Sequence, residues 1–214
     1  MTARTVVLFL SPAMSKGQET RQRILERAVA MAAEVGLDGL SLGDLASTLQ
    51  LSKSGLFAHF QSKQALMLAV LEAGAERFVQ TVVVPALGEP RGEPRLRALF
   101  DRWLEWGRTA DGGCLFVAAA AELDDRPGPV RDALVTAHRA WLATLGRAAR
   151  IAVDEGHLRD DLDERQLAFD LHGLMLAFHL HHRLLGDGAA EARARSGFER
   201  VLVAARPIRR SQDR

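Results

Sequence analysis

Lys53 and Lys63 bracket a short run, KSGLFAHFQSK, in which Ser54, Gly55 and Ala58 are small while Leu56 and Phe60 are large and apolar. At about 100° per residue the small side chains share one face of a helix and the large ones take the opposite face. The two ammonium groups, the His59 imidazole and the Ser41 and Ser52 hydroxyls are donors suited to phosphate oxygens. Ser54 and Gly55 would let a covering surface approach closely. The plainer reading is a pair of short core helices joined by a surface turn. A second cluster, His172, His179, His181 and His182, lies farther along. Three of these, His172, His179 and His182, fall on roughly one face, a pattern that zinc can use. No Cys or carboxylate shares that face, and the gap between the first two spans about 10 Å. Lining of a pocket or a seam fits these imidazoles better, and no metal or other cofactor is expected. Cys114 follows two glycines at a helix start, where the dipole could lower a thiol pKa. Its default role is that of a small buried apolar residue. The chain has no H-E-x-x-H, G-x-S-x-G, Walker or dinucleotide glycine pattern, so an enzyme is not expected.

The elements that must position these residues can be read locally. Ser41 and Asp44 have the S-x-x-D spacing of a capping box, and Leu42, Leu45, Ala46 and Leu49 follow at helical spacing. Gln50 and Leu51 interrupt that stripe, and Ser52 supplies the next N-cap oxygen. The helix that begins at Lys53 has roughly eight residues, too few to be stable alone. It must therefore pack on its Leu56/Phe60 side and be offered to a partner on the other. Two helices joined by so tight a turn, the second presenting its N-terminal residues outward, make a helix-turn-helix, whose partner is double-stranded DNA. Glu19 to Val35 supplies a third helix, with Ile24, Leu25, Ala28, Val29, Ala32 and Val35 in one stripe and Gly36 as a left-handed end. Arg21 and Arg23 near its start read as solvated charge in preference to backbone contacts.

LSKSGLFAHFQSKQAL closely resembles the recognition-helix signature of the tetracycline-repressor (TetR) family, a small-residue helix start followed by L-Y-x-H-F-x-x-K-x-x-L. Leu56, His59, Phe60, Lys63 and Leu66 match it in type and spacing, and the resemblance covers about residues 18–70. Phe57 departs from it, standing where many members carry a tyrosine, in a chain with no Tyr anywhere. A phenol there could bond a phosphate; the Phe57 ring cannot. The resemblance implies a regulator that reads DNA as a dimer through a four-helix interface. The DNA-binding set is then Ser41, Ser52, Lys53, Ser54, Gly55, Phe57, Ala58, His59 and Lys63.

Composition leaves room for this reading without compelling it. The chain has 214 residues, 48% of them hydrophobic, and a formal charge of +1, which is a globular composition. Over residues 1–63 the cations are Arg4, Lys16, Arg21, Arg23, Arg27, Lys53 and Lys63, against Glu19, Glu26, Glu34, Asp38 and Asp44. Placement, and not bulk charge, must therefore carry any case for DNA. One cysteine excludes an intrachain disulfide framework and suits a reducing cytoplasm. No apolar run is long enough for a membrane span, and residues 6–10 are too few for a signal core. Residues 1–15 read as a loose arm, with a start at Met14 as the alternative.

Beyond the reading unit every segment is helical in pattern, so the fold class is all-α. An N-terminal three-helix DNA-binding domain (16–63) is expected to precede a helical ligand-binding and dimerisation domain (64–206) and a short tail (207–214) carrying Arg209, Arg210 and Arg214. Ser62 caps a helix with Leu66, Ala69, Val70 and Ala73 that runs towards Pro85. Pro85–Pro94 reads as a connection. Helices follow over 95–110, 114–123, 130–154, 163–185 and 189–205. The helix from Asp163 is apolar nearly all round, with Leu167, Leu171, Leu174, Phe178 and Leu185 in one row and Phe169, Leu176, Leu180 and Leu184 in another. Such a helix must be covered on nearly all sides, and a second copy of the chain can do so. The expected dimer residues are Leu171, Leu174, Phe178, His182, Leu185, Phe198, Val201 and Leu202. A pocket for a small hydrophobic or aromatic effector is expected between these helices. Trp103, Trp106, Phe116, Trp141, Phe169, His172 and Phe178 are available to line it, although core packing accounts for each one singly. The leading expectation is a ligand-responsive repressor. An effector-independent binder or activator is the alternative, and a helical enzyme or lipid-binding domain a more distant one.

Overall fold

The computed structural model describes residues 15–110 and 112–207. The expected arm and tail lie outside the described residues, except for Ser15, which caps the first helix, and Pro207. Helix α1 (Lys16–Val35) therefore starts three residues earlier than periodicity predicts. The reason is a reciprocal pair of bonds: Gln18 N donates to Ser15 Oγ at 3.3 Å, and Ser15 N donates to Gln18 Oε1 at 2.8 Å. At α2 (Leu42–Thr48) only the hydroxyl half of the expected box forms, Ser41 Oγ accepting from Gly43 N and Asp44 N.

The turn after α2 is built on Leu51 N donating to Ala46 O at 2.9 Å, with Gln50 at φ 56°. This is the left-handed reversal that usually takes glycine, and it sends α3 (Lys53–His59) across α2. Ile24, Ala28, Leu37, Leu40, Leu45, Leu56 and Phe60 are buried together beneath the three helices. Helix α4 (Lys63–Phe78) leaves this unit with Ser62 as its cap and continues through a widened π turn (Val79–Val83) into α5 (Val84–Leu87). The widening sits just before Pro85, whose ring cannot lie over a normal preceding turn. The expected connection from Pro85 to Pro94 thus shrinks to residues 88–92. Both prolines are absorbed into first turns, where a missing N–H is harmless.

The remaining helices are α6 (Glu93–Thr109), α7 (Leu115–Leu123), α8 (Pro129–Asp154), α9 (Glu164–Arg183) and α10 (Ala190–Ala205). No strand occurs among the described residues, and no described helix is long and apolar enough to cross a membrane. The α6 face carrying Leu96, Leu99, Phe100 and Trp103 is buried, with Phe100 stacked on Phe198 of α10 at 4.3 Å. Arg97 pairs with both Glu93 and Glu199, and Arg206 closes on Glu93 at 2.7 Å, so α6 and the end of α10 are clipped together at the rim.

Helix α9 divides its apolar rows unequally. Leu167, Leu171, Met175 and Phe178 point into the subunit, whereas Phe169, Leu176, Leu180 and Leu184 face outward with Leu185 beyond the helix end. The expected dimer residues divide between the two sides of the helices. Leu171, Phe178, Phe198 and Leu202 are core residues of the subunit itself. Leu174, His182 and Val201 are half-buried and Leu185 is exposed. Periodicity finds apolar rows but does not say which one meets its own domain.

Candidate nucleic-acid interface and effector cavity

Helix α3 spans Lys53–His59, and its sides are sharply divided. Leu56 and the capping Phe60 are buried, while Lys53, Ser54 and Ala58 are exposed and Gly55 and His59 are half-covered. Phe57 is 45% exposed, so its ring belongs to the outer face. Ser52 Oγ accepts from Gly55 N at 3.0 Å and lies 3.1 Å from Ser54 Oγ, so these two hydroxyls are already paired. Ser41 Oγ is occupied as an acceptor at the α2 cap and keeps its proton for an outside oxygen. Arg21 lies over the Phe60 ring at 5.3 Å, where it covers the base of α3.

Lys63 is less free than the sequence implies. Its ammonium donates to Asp38 O at 2.6 Å and lies 3.6 Å from Asp38 Oδ1. Asp38 also pairs with Arg126 from the α7–α8 loop, and its own N–H donates to Glu122 Oε2 at 3.2 Å. The Arg126 guanidinium, with help from Lys63, holds the Asp38 carboxyl below the usual carboxylate range. Two glycines permit this junction. Gly36, at φ 83°, leaves the space that Glu122 fills: a Cβ there would lie 1.5 Å from Glu122 Oε1. Gly112, at φ 74°, lets its loop touch the α1 backbone, with Glu34 N only 2.5 Å from where a Cβ would stand. Helix α7 therefore grips the end of α1 and the loop that leads to α2.

A cavity of about 130 Å³ lies among α4, the π turn, α6, α7, α8 and α9. Trp103, Phe116, Trp141 and His172, all singled out by sequence, line it together with Phe78, Val79, Val83, Cys114, Val117 and His138. Three expected residues do not. Phe169 is 69% exposed on the outer row of α9. Trp106 sits behind Phe78, edge-on at 5.8 Å, and Phe178 sits behind Trp103, stacked on His182 at 5.2 Å. Phe78 and His138 escaped the sequence reading, although available signals existed. Phe78 is the only aromatic side chain of α4, and His138 lies one turn before Trp141 on α8.

The chemistry of the cavity is apolar and uncharged. Phe78 meets Trp141 edge-on at 5.0 Å and 90°. His138 and His172 rings lie 6.1 Å apart, and burial, aided by His138, pushes the His172 pKa down so that it favours the neutral form. Burial pushes the Cys114 thiol up, the opposite of the lowering that a helix start would give. Among the described residues no group of three His, Cys, Asp or Glu side chains is arranged to hold a metal ion.

Two family models match the chain. One, for the tetR family of bacterial regulatory proteins, covers residues 24–70, and one for a tetracyclin repressor-like C-terminal domain covers residues 92–198. The HTH-type transcriptional repressor NemR of Escherichia coli K12 is 26% identical over 133 residues, 61% of this chain and 67% of NemR. The HTH-type transcriptional repressor DhaR of Mycobacterium sp. GP1 is 26% identical over 143 residues, 66% of this chain and 71% of DhaR. The crystal structure of a TetR transcriptional regulator from Chloroflexus aurantiacus J-10-FL superposes with a TM-score of 0.80 at 24% identity, covering 89% of this chain and 96% of that one. An outward-facing small-residue helix in a helix-turn-helix, an all-α second half and these matches agree: the chain belongs to the TetR family of bacterial transcriptional regulators.

Proposed function

We propose that this regulator is a repressor that binds a near-palindromic operator as a homodimer and leaves it when a small hydrophobic molecule enters the cavity. The observation that carries the DNA half is the divided α3, whose Leu56 and Phe60 are buried while Lys53, Ser54, Phe57 and Ala58 stay open. Residues 16–63 would be the reading unit and 64–206 the effector and dimerisation unit. Ser54 and Gly55 would lie nearest the bases, with Ser41, His59 and the lysines at phosphates. Lys63 must then exchange Asp38 for a phosphate. The outer row of α9 supports a two-fold seam, which requires half-sites about 34–36 Å apart or a multiple of that. The cavity supports effector control over an effector-independent binder. Helix α4 runs from Lys63 beside α3 to Phe78 on the cavity wall, so a change at one end is felt at the other.

Operator and effector must weaken each other by the same factor, because the coupling is reciprocal. Fluorescence anisotropy with duplex taken from upstream of the gene tests the reading. If each subunit neutralises about four phosphates, the dimer's log–log salt slope should be roughly −7. A slope near zero, or equal affinity for any sequence, would end the operator reading.

A further inference from the structure

Asp38 offers each of its two carboxylate oxygens to a different cation from a different part of the chain. Lys63, at the start of α4, lies 3.6 Å from Oδ1, while Arg126, from the α7–α8 loop, bonds Oδ2. Lys63 also donates to the Asp38 carbonyl at 2.6 Å, and the Asp38 N–H donates to Glu122. Two carboxylates and two cations thus meet where the second half of the chain reaches the reading unit. The Lys63, Asp38 and Arg126 side chains are each about half exposed, so these ions can change partners without unpacking any core. A carboxylate pairs with an ammonium by the same chemistry as a phosphate oxygen does. Because the two cations sit on different oxygens, Lys63 can leave Oδ1 while Arg126 stays on Oδ2. The Asp38 charge then remains partnered. Without Arg126, the departure of Lys63 would leave Asp38 beside Glu122, a like charge, with no cation on either oxygen.

We infer that Asp38 is a built-in stand-in for a DNA phosphate that holds Lys63 back from the operator, and that Arg126 sets how readily Lys63 is released. This rests on the reading of Lys63 as a phosphate contact. Arg126 is then a positioning residue: it strengthens operator binding from the second half of the chain, through Asp38 and not by touching DNA. Exposed ion pairs are weak, worth about fivefold at most in an equilibrium constant. A factor of about three in each subunit becomes about tenfold for a dimer that engages two half-sites.

The test is fluorescence anisotropy of the full chain on operator duplex at low ionic strength, where surface charges are least screened. The variants are Asp38→Asn, Arg126→Gln and the two together, all of which leave the Asp38 N–H and carbonyl in place. Asp38→Asn should tighten binding by about tenfold, and Arg126→Gln should weaken it by up to about tenfold. In the Asp38→Asn chain, Arg126→Gln should change affinity by less than about twofold, so the double variant binds as tightly as Asp38→Asn alone. In a Lys63→Gln chain, Asp38→Asn should likewise change affinity by less than about twofold. Effects at Asp38 and Arg126 that simply add, returning the double variant to the wild-type value, are those of net charge and would overturn the inference. So would a gain from Asp38→Asn that survives the loss of Lys63. Wild-type binding that Lys63→Gln leaves unchanged would remove Lys63 as a phosphate contact, and the inference with it, while the operator reading stands. A wild type that binds no duplex, or every duplex alike, would end both.

Discussion

Leu180 is the residue on which the proposed dimer can be tested most directly. It is 50% exposed in the subunit, in the outer row of α9 with Leu176 and Leu184. Fully burying a leucine is worth about 2 kcal/mol, so covering its exposed half contributes about 1 kcal/mol in each copy. A two-fold seam doubles that to about 2 kcal/mol. Leu180→Glu forfeits this and places a carboxylate in an apolar contact, where desolvation adds several kcal/mol per ion. The dimer dissociation constant should therefore rise at least about 10³-fold, equivalent to about 4 kcal/mol. Sedimentation velocity across a concentration series reads this, and the variant should sediment as the monomer at about 1 μM, where about 8 kcal/mol of association energy is needed. Its far-UV circular dichroism should match wild type, because Leu171, Met175 and Phe178 still fill the core side of α9. Operator affinity should fall with the dimer. A variant that still runs at twice the subunit mass at that concentration would refute the assignment of this row to the seam.

Three further expectations concern the reading unit and the cavity. Phe57→Tyr adds a hydroxyl to an exposed ring of α3 and should tighten operator binding by up to about tenfold or leave it unchanged in a gel shift; a clear loss would mean that Phe57 packs instead of facing the backbone. Gly36→Ala puts a side chain on a backbone at φ 83° and ψ 164°, a region essentially reserved for glycine, and displaces Glu122, costing about 1–3 kcal/mol for the backbone alone. The melting temperature should drop by roughly 2–8 °C, and removing the clash with Glu122→Ala in the same chain should restore only part of it. Burial holds the pKa of His172 below its ordinary 6.5, so below that pH the unfolded chain binds more protons than the folded one and stability falls with pH. The melting temperature should accordingly decrease between pH 7 and pH 5 (about two units spanning the ordinary histidine value), and His172→Asn should flatten the decrease. His179, also lowered by burial, contributes a remaining share.

Four helix starts were legible because their caps are local chemistry, whereas the Ser15–Gln18 pair that starts α1 three residues early went unread. Ser41, Ser52, Ser62 and Asp163 each accept the backbone N–H bonds that their positions imply. The exposed character of Ser54 and Ala58 was legible for the same reason: over so short a helix, spacing alone separates the faces. What sequence left hidden is long-range. Gly36 reads as a simple helix end, and nothing local announces that Glu122 fills its missing side chain or that the Asp38 N–H reaches 84 residues along the chain to the same carboxylate. Helix α9 was ambiguous because both rows are apolar, and only packing against α6, α8 and α10 chooses between them. The aromatic residues divided likewise. Trp106 and Phe178 are as large and apolar as Trp103 and Trp141, yet they lie one layer behind the cavity wall.

The shortness of α7 carries a consequence of its own. Cys114, Phe116 and Val117 at its start touch the cavity, and Glu122 near its end holds the loop that feeds α2. Nine residues make a strut about 13 Å long, far too stubby to flex along its length. A guest of the kind proposed would therefore tilt or slide the whole piece in preference to bending it. The two halves of the molecule are thus joined by α7 as well as by α4, and loosening either one alone leaves the other still connected.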